Sequence, residues 1–219
     1  MGVREIQVAD TTLVIHELKD VCDSVTGRVL NGWWLWNSSL VLSKWIATQG
    51  RLTFDFHDKI VLELGAGAGL PGLTAALLGA SRVVLTDIKT LLPGLINNVE
   101  VNGLGDRVEV RQLVWGSDES SSEFDGFDFN LVLMSDVFFD MEEMAVLAKT
   151  LKKVCRKETV VWAASEVRPW IGVVELPSQL GGSSGSGNSF MEEDSLDMFA
   201  VFLLLPPNED SHVPRGCHL

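Results

Sequence analysis

The sequence predicts an α/β protein that is organised around a mostly parallel sheet. From residue 59 onward, short apolar segments alternate with segments whose apolar residues recur at helical spacing. The first of these apolar segments runs directly into a turn that contains alternate glycines. With 219 residues and 46% hydrophobic content, the chain is long enough for one domain with a full core. We therefore expect a single domain over residues 1–205.

The first part of that domain, residues 1–58, is expected to hold a hairpin and a helix. Residues 11–18 alternate apolar and polar side chains, and a second extended segment is predicted over 27–35. The two segments are predicted to pair with each other. Ser38 or Ser39 is predicted to cap the helix that follows.

The core of the domain is expected over residues 59–205. Its parallel strands are predicted over 59–64, 81–88, 107–113, 127–134 and 159–164. Its helices are predicted over 70–78, over 90–101 and after Asp140, which forms a capping-box pattern with Glu143. Because parallel strands place their carboxyl ends at one edge of a sheet, the residues that follow the strands are expected to form the functional site.

The end of the chain is predicted to differ from this alternation. Two last strands, over 172–176 and 197–205, are expected to form an antiparallel hairpin because no helical segment lies between them. A loop rich in glycine and serine, 181–189, is predicted to be flexible. The polar tail, 206–219, is expected to be disordered.

The glycine-rich turn reads V-L-E-L-G-A-G-A-G-L-P-G, with Glu63 in the strand and Gly65, Gly67 and Gly69 after it. Glycines at this spacing allow positive φ angles and a close approach of a ligand to the backbone. The helix that follows offers free N–H groups at its start. The turn is therefore interpreted as a cofactor cradle, and the alternative is a tight strand–helix junction without a ligand.

Two side chains beyond the neighbouring strands extend this interpretation. Asp87 ends the second strand, where a carboxylate can accept hydrogen bonds from both hydroxyls of a ribose; the alternative is a cap for the next helix. Trp115 follows the third strand and offers a flat surface to adenine; the alternative is an aromatic residue of the core. These features also suit a nicotinamide cofactor, which uses an acid at the same position.

Four motifs taken together resemble methyltransferase family 16, the seven-stranded protein-lysine methyltransferases of the methyltransferase-like 21 type. They are W-L-W-N-S-S-L-V-L-S, the glycine-rich turn, L-T-D with N-N-V-E-V-N-G, and V-W-G with F-D-F-N-L-V-L-M-S-D-V-F-F. The resemblance implies a three-layer Rossmann-like sheet of seven strands with an antiparallel C-terminal hairpin. It implies S-adenosyl-L-methionine (AdoMet) as cofactor. The AdoMet-binding residues are then predicted to be Trp36, Glu63, Gly65, Ala66, Gly67, Gly69, Asp87, Trp115 and Ser135.

The same resemblance implies a substrate-side role for Asp136 and Phe139. A carboxylate can orient an amine through an N–H hydrogen bond, and an aromatic face can stabilise the developing ammonium. The family's substrates imply methyl transfer to a lysine side chain of a non-histone protein. Two alternatives stay open: a catalytically weak AdoMet-binding protein that acts by binding a partner, and a methyltransferase or nicotinamide enzyme for small molecules.

Two departures from the family pattern stand out. Phe139 occupies a position where many members have tyrosine, and the chain contains no tyrosine. The link S-E-V-R-P-W-I-G after the fifth strand is shorter than the roughly ten residues that a helical crossover needs. The helix between strands five and six is therefore predicted to be shortened or missing.

Composition restricts the partners and the compartment. The net charge of −13 repels nucleic acid and favours a basic, lysine-containing protein segment. Three dispersed cysteines suggest a reducing compartment, so the cytoplasm is expected, with the nucleus as an alternative. The four histidines lie in unrelated segments, so no metal site is predicted. No membrane association is expected, because the longest apolar run is too short to cross a bilayer.

Overall fold

A mixed sheet with a small separate hairpin forms the framework of the computed structural model, which describes residues 2–17, 34–118, 123–137, 141–166 and 199–204. The strands are β1 (Gly2–Val8), β2 (Thr11–Glu17), β3 (Ile60–Leu64), β4 (Arg82–Asp87), β5 (Val108–Gln112), β6 (Leu131–Ser135), β7 (Val160–Glu166) and β8 (Phe199–Leu204). The α-helices are α1 (Asn37–Trp45), α2 (Leu70–Leu77), α3 (Leu92–Val101) and α4 (Met141–Val154). A π-helical segment, Ile46–Gly50, and one further turn, Arg51–Thr53, extend α1, and a 3₁₀ turn, Lys89–Leu91, precedes α3.

The central sheet has the strand order β5-β4-β3-β6-β7-β8. Its first five strands are parallel, and β8 is antiparallel to β7. The predicted parallel sheet is therefore confirmed, and the final strand lies beside the fifth parallel strand. The chain leaves β3 toward β4 on one side, whereas β6 lies on the other side, so β3 and β6 form the switch point at which α/β sheets bind ligands.

Layers of helix cover both faces of this sheet, because successive strand residues point to opposite sides. One face packs against α1, α2, α3 and the N-terminal hairpin, and it contributes Val61, Leu85, Leu131, Leu133 and Trp162 to the core. The other face packs against α4 and an aromatic segment, and it contributes Leu62, Leu64, Val84, Val132 and Met134. Successive residues of each strand thus contribute their apolar side chains to two different cores.

The N-terminal hairpin differs from the predicted one. β2 pairs in antiparallel register with β1, from Val8 opposite Thr11 to Gly2 opposite Glu17. The two-stranded sheet consists of β1 and β2, so β2 has a partner that the sequence analysis did not predict, and most of the predicted partner, residues 27–33, lies outside the described residues. The physical reason is proximity: Ala9, with a φ of 49°, and Asp10 close a two-residue turn, and a short loop costs less entropy than a long one.

Asn98 of α3 and Asn102, the residue that follows this helix, fasten the hairpin to the core. The side-chain oxygen of Asn102 accepts the Val14 N–H at 2.8 Å, and its amide donates to the Val14 carbonyl at 2.7 Å. Asn98 accepts the His16 N–H at 2.9 Å. It donates to the His16 carbonyl at 3.3 Å and to the Ala68 carbonyl, in the glycine-rich turn, at 3.0 Å. The amides thereby replace the strand partner that this edge of β2 lacks in the described structure.

Helix α1 begins at Asn37, before both of the serines, Ser38 and Ser39, that were predicted as alternative caps. Its N-cap is Trp36, which has extended backbone angles and makes no side-chain cap hydrogen bond. Ser38 and Ser39 both lie in the first turn and are buried. The serine-cap prediction was wrong because the packing of this segment, rather than the intrinsic preference of serine, sets where the helix starts.

Several predictions fall on parts of the chain outside the described residues. These are Phe139, the cap residue Asp140, the strand at 172–176, the shortened crossover before it, the loop 181–189 and the tail 206–219. Among the residues that the structure does describe, no helix combines the length and the apolar character needed to cross a membrane.

We predict that Asn98→Ala lowers the free energy of unfolding by about 1–3 kcal/mol, because it leaves buried backbone groups of His16 and Ala68 without partners. Urea denaturation measures this change. Asn97→Ala is the matched control, since it makes the same substitution at the preceding helical position, where the side chain makes no hydrogen bond to the described structure. Equal stability of the two variants would show that Asn98 does not fasten the hairpin.

Candidate active site

A cavity of about 760 Å³ opens at the carboxyl ends of the parallel strands. It is formed by residues that follow β3, β4, β5 and β6, together with parts of α1 and α4. The predicted site residues that line it are Trp36, Gly65, Ala66, Gly67, Asp87, Trp115, Ser135 and Asp136. The fold therefore gathers residues from 36 to 136 around one space.

The floor of the cavity is the glycine-rich turn between β3 and α2. Gly65, Gly67 and Gly69 have φ angles of 62°, 53° and 82°, which residues with a side chain adopt at a cost. The Ala66 N–H donates to the Thr86 carbonyl at 2.9 Å, and the Gly69 N–H donates to the Ala66 carbonyl at 2.7 Å. These bonds fix the turn against the end of β4 and expose its backbone to the cavity.

Asp87 lies at the end of β4 and holds the turn from the side. Its carboxylate accepts the Gly67 N–H at 2.8 Å and the Ile88 N–H at 2.7 Å. Burial raises the pKa of this carboxyl to about 6, although both hydrogen bonds act in the opposite direction. Neither the 3₁₀ turn nor α3 has a side-chain cap hydrogen bond, so the alternative role of Asp87 as a helix cap does not hold.

Glu63 and Gly69 were predicted to bind the cofactor, but neither lines the cavity. Glu63 is fully buried, and its Oε2 accepts the Gly72 N–H at 2.8 Å in the first turn of α2. Its Oε1 has no partner within the described structure. Burial, together with the nearby Asp87 charge, raises the pKa of Glu63 to about 8. Glu63 therefore supports the turn from behind, because its side chain points toward α2.

Trp115 forms the wall beyond β5, and α4 holds it there. The indole lies so close to Gly65 that a Cβ atom on that residue would be 2.9 Å from Cζ2 of the ring. The next residue, Gly116, donates its N–H to Oγ1 of Thr150 at 2.8 Å. Its carbonyl accepts from Nζ of Lys149 at 3.1 Å. Trp115 is thus partly buried against the core and faces the cavity at the same time.

Two further tryptophans form the wall on the other side. Trp36 lies just before α1, as predicted, and the ring of Trp34 is 6.2 Å from it at an angle of 40°. Trp34 is 47% exposed, so its indole presents an apolar surface at the rim of the cavity. An apolar portion of a ligand can therefore be enclosed between aromatic side chains.

Ser135 ends β6, Asp136 follows it, and both line the cavity. The Asp136 N–H donates to the Ala164 carbonyl at 2.9 Å, which continues the pairing of β6 with β7. Asp136 has a φ of 54°, a left-handed conformation that aspartate tolerates better than most residues. Strained residues of this kind concentrate at functional sites. Phe139, its predicted partner, lies outside the described residues.

Helix residues complete the cavity, and sequence reasoning did not find them. Trp34 lies three residues before α1, Ser39 lies in the first turn of α1, and Glu143 and Val146 come from the first turns of α4. The three-residue spacing of Glu143 and Val146 was the available signal, because such residues lie on one face of a helix. Which face of α4 points to the cavity depends on tertiary packing, which cannot be inferred from a local sequence pattern.

Comparison with solved structures identifies the class of fold. The Escherichia coli protein yhhF, whose description names a methyltransferase, superposes with a TM-score of 0.53 at 17% identity. The match covers 92% of this chain and 97% of that one. The structure therefore has the fold of the Rossmann-like methyltransferases.

Comparison of sequences identifies the family. The chain belongs to the lysine methyltransferase family, whose model matches residues 11–174. Mouse protein N-lysine methyltransferase METTL21A is 34% identical over 137 residues, which are 61% of this chain and 60% of that protein. Mouse EEF1A lysine methyltransferase 3 is 34% identical over 135 residues, 61% of this chain and 55% of its own length. The chain thus spans little more than half the length of these curated relatives.

We predict that the free energy of unfolding of the wild-type chain decreases as pH rises, and that it decreases less in Glu63→Gln. A carboxyl whose pKa is raised from 4.5 to about 8 binds its proton more tightly in the folded state, so stability is lost as pH rises between these values. From pH 6.5 to 8.5 the free energy of unfolding should drop by about 1–2 kcal/mol more in the wild type than in the variant.

Urea denaturation at both pH values measures the difference. Glu100→Gln, which removes an exposed carboxyl of α3, should retain the wild-type slope. If the free energy of unfolding changed equally with pH in the wild type and in Glu63→Gln, the raised pKa of Glu63 would be contradicted.

Proposed function

We propose that the chain binds AdoMet in this cavity and transfers its methyl group to a lysine side chain of a protein. The observation that carries the proposal is the convergence of the glycine turn, Asp87, Trp115 and Asp136 on one space. Membership of the lysine methyltransferase family supports the same reaction. The names of METTL21A and EEF1A lysine methyltransferase 3 describe lysine methylation in those relatives.

The charge of the cavity favours AdoMet over a nicotinamide dinucleotide. Its described wall contains Asp87, Asp136 and Glu143 and no lysine, arginine or histidine. A dinucleotide would bring a diphosphate into this negative field, whereas the sulfonium of AdoMet is positive. The N–H groups of Gly67 and Gly72, which could otherwise face a phosphate, already donate to Asp87 and Glu63.

The residues of the wall fit the parts of AdoMet. In the proposal, the remaining lone pairs of the Asp87 carboxylate accept hydrogen bonds from the ribose hydroxyls. Trp115 lies against the adenine, and Gly65, Ala66 and Gly67 let the nucleoside approach the backbone. Trp36 and Ser135 contact the methionine portion. When bound, AdoMet supplies an electrophilic methyl group on sulfur.

Asp136 and Phe139 are proposed to position the acceptor. Lysine attacks only as the neutral amine, so its lone pair must be free and directed at the methyl carbon. A carboxylate of Asp136 can accept one N–H of that amine and fix its direction, and such positioning supplies much of the rate enhancement in a displacement of this kind. The ring of Phe139 is proposed to lie beside the alkyl chain and to stabilise the ammonium product by a cation–π contact.

The substrate is proposed to be a basic segment of a non-histone protein, because the chain carries 30 acidic and 17 basic residues. The same charge argues against nucleic acid as a partner. The cytoplasm is the proposed compartment, with the nucleus as an alternative, and neither a metal nor a membrane is part of the proposal. A chain that binds AdoMet but labels no protein would instead fit a binding role without catalysis.

We predict that Asp87→Asn weakens AdoMet binding at least about tenfold, since an amide loses the charge that strengthens hydrogen bonds from the ribose. Isothermal titration calorimetry with AdoMet measures the dissociation constant. Asp106→Asn, a change at an aspartate that is exposed and ion-paired with Arg107, is the control and should bind as the wild type does. Wild-type affinity in Asp87→Asn would remove Asp87 from the cofactor site.

We predict that Asp136→Asn lowers methyl transfer about 100-fold while the AdoMet dissociation constant changes less than about threefold. Asparagine tolerates the same left-handed backbone, so the fold of the loop should persist. Incubation of labelled AdoMet with cell extract, followed by mass spectrometry of the labelled band, measures transfer and identifies the methylated protein. Full transfer by the variant would exclude Asp136 as the residue that orients the amine.

A further inference from the structure

We propose that Ser39 and the first turn of α1 bind the carboxylate of the cofactor's methionine portion. This inference rests on the proposed function, because it assigns a subsite to AdoMet. It adds an anion-binding element to a cavity whose described side chains are otherwise acidic, aromatic, apolar or small.

The need for such an element follows from the chemistry of the cofactor. AdoMet carries a carboxylate at the end of its methionine portion, and a carboxylate taken from water requires hydrogen-bond donors. The described wall of the cavity offers no cationic side chain. Among the described residues, the donors must therefore be backbone N–H groups or uncharged side chains.

The glycine-rich turn and the start of α2 have already committed most of their donors. The Gly67 N–H donates to Asp87, the Gly69 N–H donates to the Ala66 carbonyl, and the Gly72 N–H donates to Glu63. Pro71 has no N–H to offer. These N–H groups of the turn and of the start of α2 are thus committed to acceptors of the protein itself.

The start of α1, in contrast, has no side chain that caps its N–H groups. This nine-residue helix has no side-chain cap and no acidic residue in its first turn. The N–H groups of Asn37 and Ser38 belong to the positions that an α-helix leaves without an intrahelical acceptor, and the helix dipole favours an anion there. Trp36, the N-cap residue, and Ser39 both line the cavity, so this helix end borders the space where the cofactor is proposed to lie.

Ser39 provides the second, independent observation. The residue is 94% buried, since only 6% of its surface is exposed, and that surface lines the cavity. No group within the described structure forms a hydrogen bond with its Oγ. Because this hydroxyl borders the cavity and makes no hydrogen bond to the described protein, it is free to donate to a ligand acceptor there.

The topology places this hydroxyl at the correct end of the cofactor. Asp87 and Trp115 follow β4 and β5, on one side of β3, where the adenosine is proposed to lie. Helix α1 packs against α2 and β7, on the other side of β3. A nucleoside over β4 and β5 therefore extends its methionine portion across the glycine-rich turn toward α1.

A pair of ligands that differ only in the carboxylate tests the inference. S-adenosylhomocysteine carries it, and S-adenosyl-3-thiopropylamine, its decarboxylated analogue, does not. Isothermal titration calorimetry should show that wild type binds S-adenosylhomocysteine about tenfold more tightly than the analogue. Ser39→Ala should lose roughly that factor for S-adenosylhomocysteine and less than about twofold for the analogue, because only the former accepts the lost hydrogen bond.

Ser43→Ala is the matched control, since Ser43 is a buried serine of the same helix that does not line the cavity. It should bind both ligands as wild type does. Equal weakening of both ligands by Ser39→Ala, or no weakening of either, would overturn the inference. If Ser39→Ala does not fold, equal affinity of wild type for the two ligands overturns it by itself. Failure of wild type to bind either ligand would instead refute the proposed cofactor and this subsite with it.

Discussion

The hydrogen bond from the Gly67 N–H to the Asp87 carboxylate is the interaction on which the site depends. It joins the turn after β3 to the end of β4, and the bond from Ala66 to the Thr86 carbonyl strengthens the same junction. Other parts of the cavity pack onto this fixed turn. Trp115 lies over Gly65 from one side, and the amide of Asn98 reaches Ala68 from the other. A loose turn would leave both without a defined position.

The parts of the fold with strong local signals could be predicted from the sequence. Apolar segments separated by helical periodicity predicted the five parallel strands, and the rule that strands end at one edge predicted that Asp87, Trp115 and Asp136 share a cavity. The pairing of β2 with β1 could not be predicted, because the sequence pattern also offered residues 27–35 as a partner and pairing is set by three-dimensional contacts.

The directions of the side chains at the site could not be predicted, because they depend on tertiary packing. Glu63 has the sequence position of a cofactor ligand, yet its carboxyl is directed at the N–H of Gly72 in α2. Serine is a residue type that favours helix caps, yet Ser39 lies in the first turn of α1 and lines the cavity. The contribution of α4 was likewise unpredictable, since its register against the cavity is set by contacts with Gly116 and the core.

The contact between α4 and Gly116 has a consequence for how this site can change its selectivity. A Cβ atom at Gly116 would lie 2.9 Å from Cβ of Val146, so the space beside Trp115, where the adenine is proposed to lie, cannot be reshaped at Gly116 unless the helix yields. The same helix begins five residues after Asp136, the residue proposed to hold the acceptor amine. Engineering the pocket for a bulkier nucleoside analogue would therefore disturb the choice of methyl acceptor, and the two preferences are expected to evolve together.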